Sequence, residues 1–293
     1  MISRAVIPAA GLGTRLLPCT KELPKEMLPV YVGFEGSVVL KPVLQVVFES
    51  LFSVGFREFC FVVGRGKRAI EDHFTPDYGY LELLRSRGKV REVRVLEYFY
   101  RCVRDSNIVW VNQDSPRGFG DAVLCARVFS KDSPFMVYAG DTLVFSRDNG
   151  HILKLIDVFE RFHADAVFFV AEVEDPRIYG VVDPGDEIVD GVVSVRCVIE
   201  KPREPPSNLT ILPIQIFEPV IFKALKGLEP GSRDELSLLM VFRGLLIGVL
   251  VFILLGLVRV MFGLMLGLLI VIGGLWGLVI GLRGVRYESW VSS

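Results

Sequence analysis

Cysteine is sparse in this 293-residue chain, and its five copies (Cys19, Cys60, Cys102, Cys125 and Cys197) form no C-x-x-C pair. Such spacing supplies neither a disulfide framework nor a zinc ligand set, and it points to a reducing, cytoplasmic setting. Histidine is scarcer still: His73, His151 and His163 fit no motif, and none is assigned a catalytic role. A formal net charge of −1 gives no reason to expect a basic face, so no nucleic-acid partner is expected. The first residues lack the charged-then-apolar layout of a signal peptide. The last absence is local. Between residues 238 and 286 there is no Asp, Glu, Lys, Asn, Gln, His, Tyr, Ala, Ser, Thr or Pro.

What is present is concentrated near the start. Residues 5–29 read AVIPAAGLGTRLLPCTKELPKEMLP. A short apolar strand runs into the glycine turn Ala10-Gly11-Leu12-Gly13-Thr14, followed by Arg15 and, ten residues on, by Lys25 between Pro24 and Pro29. A turn without bulky side chains lets a phosphate chain lie against backbone N–H groups. Arg15 and Lys25 add the positive charge that a triphosphate and a departing pyrophosphate require. A G-x-G alone is an ordinary strand-to-helix turn; the turn together with both cations is a phosphate site.

Strand-like and helix-like segments alternate from residue 4 to about 236. Strands are expected at 5–8, 58–63, 93–98, 108–112, 135–139 and 166–173, and helices at 43–54, 67–74, 120–129 and 152–163. This alternation predicts an α/β fold, a Rossmann-like, mostly parallel mixed sheet flanked by helices. Ligands in such sheets sit beyond the carboxyl ends of the strands, where both the glycine turn and Gly140-Asp141 fall. A hard carboxylate there suits Mg²⁺. The proline-rich stretch 176–220 reads as irregular antiparallel structure walling one side of the site.

AGLGTRLLPCTKELPKEMLP resembles the signature of the sugar-1-phosphate nucleotidyltransferases, and within them the UTP–glucose-1-phosphate uridylyltransferase branch. The sister thymidylyltransferases usually carry Gly-Gly and Ser-Lys-Gln where this chain has Ala10-Gly11 and Pro24-Lys25-Glu26. The resemblance covers about residues 3–236, so residues 1–236 are expected to be the catalytic domain, and it implies the nucleotide-diphospho-sugar transferase fold. It implies uridylyl transfer from UTP to glucose 1-phosphate with Mg²⁺ as cofactor and Asp141 as metal ligand. Gln113 and Gly118 match the base-reading segment, although uridylyltransferases commonly have His where this chain has Asp121. Gly180 in Tyr179-Gly180-Val181-Val182, the pair Glu200-Lys201, and Asn208 match the sugar-phosphate side. The alternatives within reach are a dTTP-using or broad-specificity enzyme, and an inactive nucleotide-sugar-binding domain tethered to a membrane.

The resemblance implies a later D-x-G turn and terminal helices that often mediate homo-oligomer formation. No D-x-G turn follows residue 237, where the only acid is Glu288. Two readings of the apolar segment 237–293 stand side by side. One is a membrane hairpin with spans at 238–258 and 260–282, each long enough for a ~30 Å hydrocarbon core, with Arg243 and Arg259 costly inside it. The other is a shifted reading frame, since every residue type in 238–286 has codons with T or G at the second position.

Overall fold

The computed structural model describes residues 2–226 and the backbone of residues 249–253, 258–263 and 268–273. In chain order the elements are β1 (Arg4–Ala9), β2 (Pro29–Phe34), β3 (Ser37–Pro42), α1 (Val43–Ser53), β4 (Glu58–Val63), α2 (Arg68–His73), α3 (Tyr78–Ser86), α4 (Val90–Arg104) and β5 (Asn107–Asn112). Then come α5 (Phe119–Cys125), α6 (Arg127–Ser130), β6 (Phe135–Tyr138), β7 (Thr142–Phe145), α7 (Gly150–Phe162) and β8 (Ala166–Glu172). The remainder are β9 (Gly180–Val189), β10 (Val192–Glu200), β11 (Leu209–Phe217), α8 (Ile221–Lys226), β12 (Val249–Ile253), β13 (Val258–Gly263) and β14 (Leu268–Gly273).

Among the described residues the main sheet has the order β5-β4-β1-β6-β11-β8-β12-β10-β9. Strands β5, β4, β1 and β6 are mutually parallel. Their sequences, such as Phe59-Cys60-Phe61-Val62-Val63, are continuously apolar because both faces are covered. β11 then runs antiparallel between β6 and β8. The sheet is therefore mixed, as expected, with its parallel half carrying the carboxyl-end crevice. One face packs on α1, α2 and α4 around Phe48, Phe59, Phe61, Phe74 and Phe99; the other packs on α5 and α8 around Val6, Val137, Phe168 and Phe222.

Four expectations need correction. Residues 93–98 are not a strand but part of α4. Val93-Arg94-Val95 alternates locally, yet the core-facing set Val93, Leu96, Phe99, Tyr100 and Val103 has helical spacing. The helix expected at 120–129 is two short ones, α5 and α6, separated at Ala126. The stretch 176–220 is more regular than its prolines imply: β9 and β10 form an antiparallel pair with register shifts, and β11 is a central strand of the main sheet. Finally, the described parts of the two expected membrane spans are strands. β12 lies parallel to β8 and antiparallel to β10, and β14 lies parallel to β7. A largely apolar run punctuated by Gly248, Gly256, Gly267 and Gly274 also suits short strands. No helix among the described residues is long and apolar enough to cross a membrane. The rest of both spans, and the terminal segment tied to oligomer formation, lie outside the described residues.

Of the unassigned histidines, His151 is buried and His73 is partly buried against the core. His73 stacks on Phe99, and its Nε2–H donates to Gln45 Oε1, 3.0 Å away. The acceptor role of Gln45 Oε1 follows from its Nε2 donating to Glu49. Burial pushes the pKa of His73 and of His151 down to about 4. In the unfolded chain these imidazoles titrate near 6.5, so between 6.5 and 4 the unfolded state binds protons that the fold does not. Stability is fully present above pH 6.5 and is lost as pH falls towards 4. Urea unfolding at pH 7.5 and 5 is expected to show this loss. It should be smaller in His73→Gln, and an equal loss in that variant would remove His73 as a source.

Candidate nucleotide-binding site

β1 and β6 are parallel neighbours, with Ala5 opposite Met136 and Val6 opposite Val137. Their carboxyl ends therefore present the Ala10–Thr14 turn and Asp141 side by side. Gly140 makes this approach close: its N–H donates to Pro8 O at 3.1 Å, and an added Cβ would stand 2.8 Å from Leu44 Cδ1. In the turn, Gly13 has φ +67°, where an L side chain is strained. Thr20 Oγ1 donates to Gly13 O at 2.7 Å and holds that conformation. Gly11, Leu12, Thr14 and Arg15 are exposed, so the turn faces solvent, while Ala10 is buried beneath it.

The candidate phosphate contact Lys25 and the candidate metal ligand Asp141 meet directly. Lys25 Nζ is ion-paired and hydrogen-bonded to Asp141 Oδ2. Gly11 lies against the same ammonium, since a Cβ on Gly11 would meet Lys25 Nζ at 3.3 Å. Burial alone would lower the lysine pKa, but the charges of Asp141 and Glu26 outweigh it and hold the ammonium above its ordinary value. Arg15 acts weakly in the opposite sense on Lys25, so the two cations share one field.

Sequence reasoning missed what lies beneath. Glu26 is buried and accepts from Lys67 Nζ at 2.8 Å, tying the Lys25 segment to the turn after β4. Burial raises the Glu26 pKa, against the opposing charges of Lys67 and Lys25. The available signal was Gly64-Arg65-Gly66-Lys67, a basic glycine turn at another carboxyl strand end. Gly64 packs against Ala10, where a Cβ would meet Ala10 O at 3.3 Å.

Gln113 stands beyond the end of β5, its N–H donating to Val63 O at 2.8 Å. Its side-chain Nε2 donates to Gly118 O at 3.2 Å and to Asp121 Oδ2 at 2.7 Å. Gly118 has φ +100° and opens α5, so it supports this contact from a conformation that favours glycine.

The sugar-side candidates also converge. Gly180 and Glu200 are register partners on β9 and β10. Lys201, at φ +45°, donates its backbone N–H to Tyr179 O at 2.9 Å, and its ammonium lies 3.1 Å from Glu200 Oε1. Asn208 is exposed at the start of β11, where Thr210 pairs with Val181. Burial raises the Tyr179 hydroxyl pKa, and the Arg15 charge opposes that rise. The glycine turn and the sugar-side strands are thus within electrostatic reach of one another.

Among the described residues no cluster of three His, Cys, Asp or Glu side chains could hold a metal. Mg²⁺ does not need such a cluster: it takes one or two carboxylates and fills its remaining positions with phosphate oxygens and water. The Asp141 carboxylate, the candidate ligand, is partly exposed and ion-paired to Lys25.

The nucleotidyl transferase family model matches residues 4–247. A UTP–glucose-1-phosphate uridylyltransferase of Streptococcus pyogenes serotype M3 is 38% identical over 244 residues, 81% of this chain and 77% of that protein. One of Streptococcus pneumoniae serotype 4 is 37% identical over 243 residues, 81% of this chain and 77% of that protein. The crystal structure of a UDP-glucose pyrophosphorylase complexed with UDP-glucose superposes with a TM-score of 0.75 at 29% identity, covering 86% of this chain and 90% of that one. A UTP-bound UGPase from Acinetobacter baumannii gives 0.74 at 27% identity, covering 87% of each chain.

Proposed function

This chain belongs to the nucleotidyl transferase family, and on that footing we propose that it is a UTP–glucose-1-phosphate uridylyltransferase that depends on Mg²⁺. Glucose 1-phosphate presents a phosphate oxygen in line to the α-phosphorus of UTP. The new O–P bond gives UDP-glucose as the bond from the α-phosphorus to its bridging oxygen breaks and pyrophosphate leaves. The protein has little covalent work to do; its task is to hold two polyanions together and neutralise charge.

The observation that carries this reading is the Lys25–Asp141 pair against Gly11, a cation and an anion at the mouth of a phosphate turn. Backbone N–H groups of Ala10, Gly11, Leu12, Gly13 and Thr14 receive the triphosphate, with Arg15 and Lys25 on its charge. Gln113 and Gly118 receive the base. Gly180, Glu200 and Asn208 face the sugar, and Lys201 faces its phosphate. Mg²⁺, when bound, would be held by Asp141 and would neutralise charge on the triphosphate.

The test is release of pyrophosphate by the purified full chain. Release is expected to require UTP and glucose 1-phosphate together, and to stop on chelation of Mg²⁺. Release from UTP without the sugar phosphate would refute sugar-1-phosphate transfer. Faster turnover of dTTP than of UTP would reassign the chain to the thymidylyltransferases.

A further inference from the structure

Gln113 is the side-chain amide read as the base contact of the site just described, and what it offers a base is decided behind it. Its Nε2 faces two groups that can only accept: the Gly118 carbonyl oxygen at 3.2 Å and the Asp121 carboxylate at 2.7 Å. Both amide hydrogens are thereby directed inwards, and the side of the amide left for a ligand is the oxygen. This orientation rests on chemistry, because a flipped amide would set Oε1 against a carboxylate oxygen and a carbonyl oxygen at hydrogen-bond distance. Asp121 cannot easily give way. It is buried at the start of α5, and its other oxygen lies 3.3 Å from an Arg117 guanidinium nitrogen. Gln113 is itself buried and has its backbone N–H fixed to Val63 O.

We propose that Asp121 is a positioning residue for base selection: it locks the Gln113 amide with its oxygen towards the base, so that the site accepts an imide N–H and rejects cytosine. Uracil and thymine present N3–H as a donor to that oxygen. Cytosine presents a lone pair at N3 and would need the amide nitrogen instead, which Asp121 and Gly118 O withhold. Specificity built on a repelled acceptor is a large effect, because the wrong base leaves polar groups facing each other unpaired. The lock does not separate uracil from thymine, since both carry the same imide. The inference rests on the uridylyl-transfer reading in taking Gln113 as the base contact.

The test is calorimetric binding of UTP, CTP and dTTP to the full chain, with and without Asp121→Asn, in wild-type and Gln113→Leu backgrounds. Asparagine keeps the shape of aspartate but can either donate or accept, which frees the amide to turn. The UTP-over-CTP preference is expected to fall at least about tenfold in Asp121→Asn while the UTP-to-dTTP ratio stays within about twofold. In the Gln113→Leu background the same substitution is expected to leave both ratios unchanged. General damage to the site would weaken all three nucleotides together. Asp121→Ser, smaller but equally able to donate or accept, is expected to act in the same direction and serves where the asparagine variant does not fold. A wild type that does not prefer UTP to CTP, an undiminished preference in the Asp121 variants, or a shift that persists without Gln113 would overturn the assignment. Failure of the uridylyl-transfer reading looks different: the binding ratios hold, but no pyrophosphate is released with glucose 1-phosphate.

Discussion

Lys25→Ala is expected to lower the turnover number for pyrophosphate release at least tenfold. The Lys25 ammonium is held above its ordinary pKa, so the charge is present throughout the physiological range. It is mostly buried, paired with Asp141, and packed against the turn through Gly11. In the transition state, negative charge builds on the departing pyrophosphate, and a preorganised cation at that point costs no reorganisation. Loss of one charge-assisted contact is worth about 1.4 kcal/mol or more, which is a factor of ten in rate. The substitution also leaves Asp141 without its counter-charge. Lys25→Arg keeps the charge but brings a larger, planar group against Gly11, so partial activity is expected from it. Steady-state kinetics of both variants at saturating UTP decide the matter, and unchanged kinetics in Lys25→Ala would remove the residue from the mechanism.

Lys67→Met is expected to cost about 3–5 kcal/mol of stability, the usual penalty for stripping one partner from a buried ion pair. On the scale of a domain's total stability of about 5–15 kcal/mol, this is a large fraction. Glu26 is 1% exposed, and burial already raises its pKa against the pull of Lys67 and Lys25. Without Lys67 that rise has less to oppose it. A carboxyl whose folded pKa lies above its unfolded value favours the fold when protonated, so the variant should recover stability as pH falls from neutral towards the carboxylate range. Chemical unfolding at pH 8 and pH 5.5 measures the difference. The double variant Glu26→Gln with Lys67→Met should regain most of the loss, because an uncharged pair leaves no stranded charge. An equal loss in the single and double variants would mean that Lys67 acts through its packing alone.

Much of the fold was legible because its strongest signals are periodic. The apolar runs at β4, β6 and β8 are long enough to be read as buried strands, and α1 and α7 show their helical face plainly. Where two periods compete over a few residues, the local reading fails. Val93-Arg94-Val95 imitates a strand, and only packing against Phe48 and Phe74, through Phe99, shows the helix. The apolar residues after 237 failed for a different reason. A membrane helix and a buried strand are both simply apolar, and which forms depends on whether open sheet edges such as those of β8 and β10 are there to be paired.

By itself the sequence determined the phosphate chemistry. A glycine turn with Arg15 and Lys25 is encoded within a few residues, and a backbone that must come close to an anion leaves little choice of side chain. Only the tertiary structure decided what each charge faces. Lys25 meets Asp141 across 116 residues, Lys67 meets Glu26 across 41, and Asp121 turns the Gln113 amide from the next helix. Spacing along the chain carries no information about the Lys25–Asp141 and Lys67–Glu26 pairs, because the packing of the whole sheet decides which loops meet at its carboxyl ends.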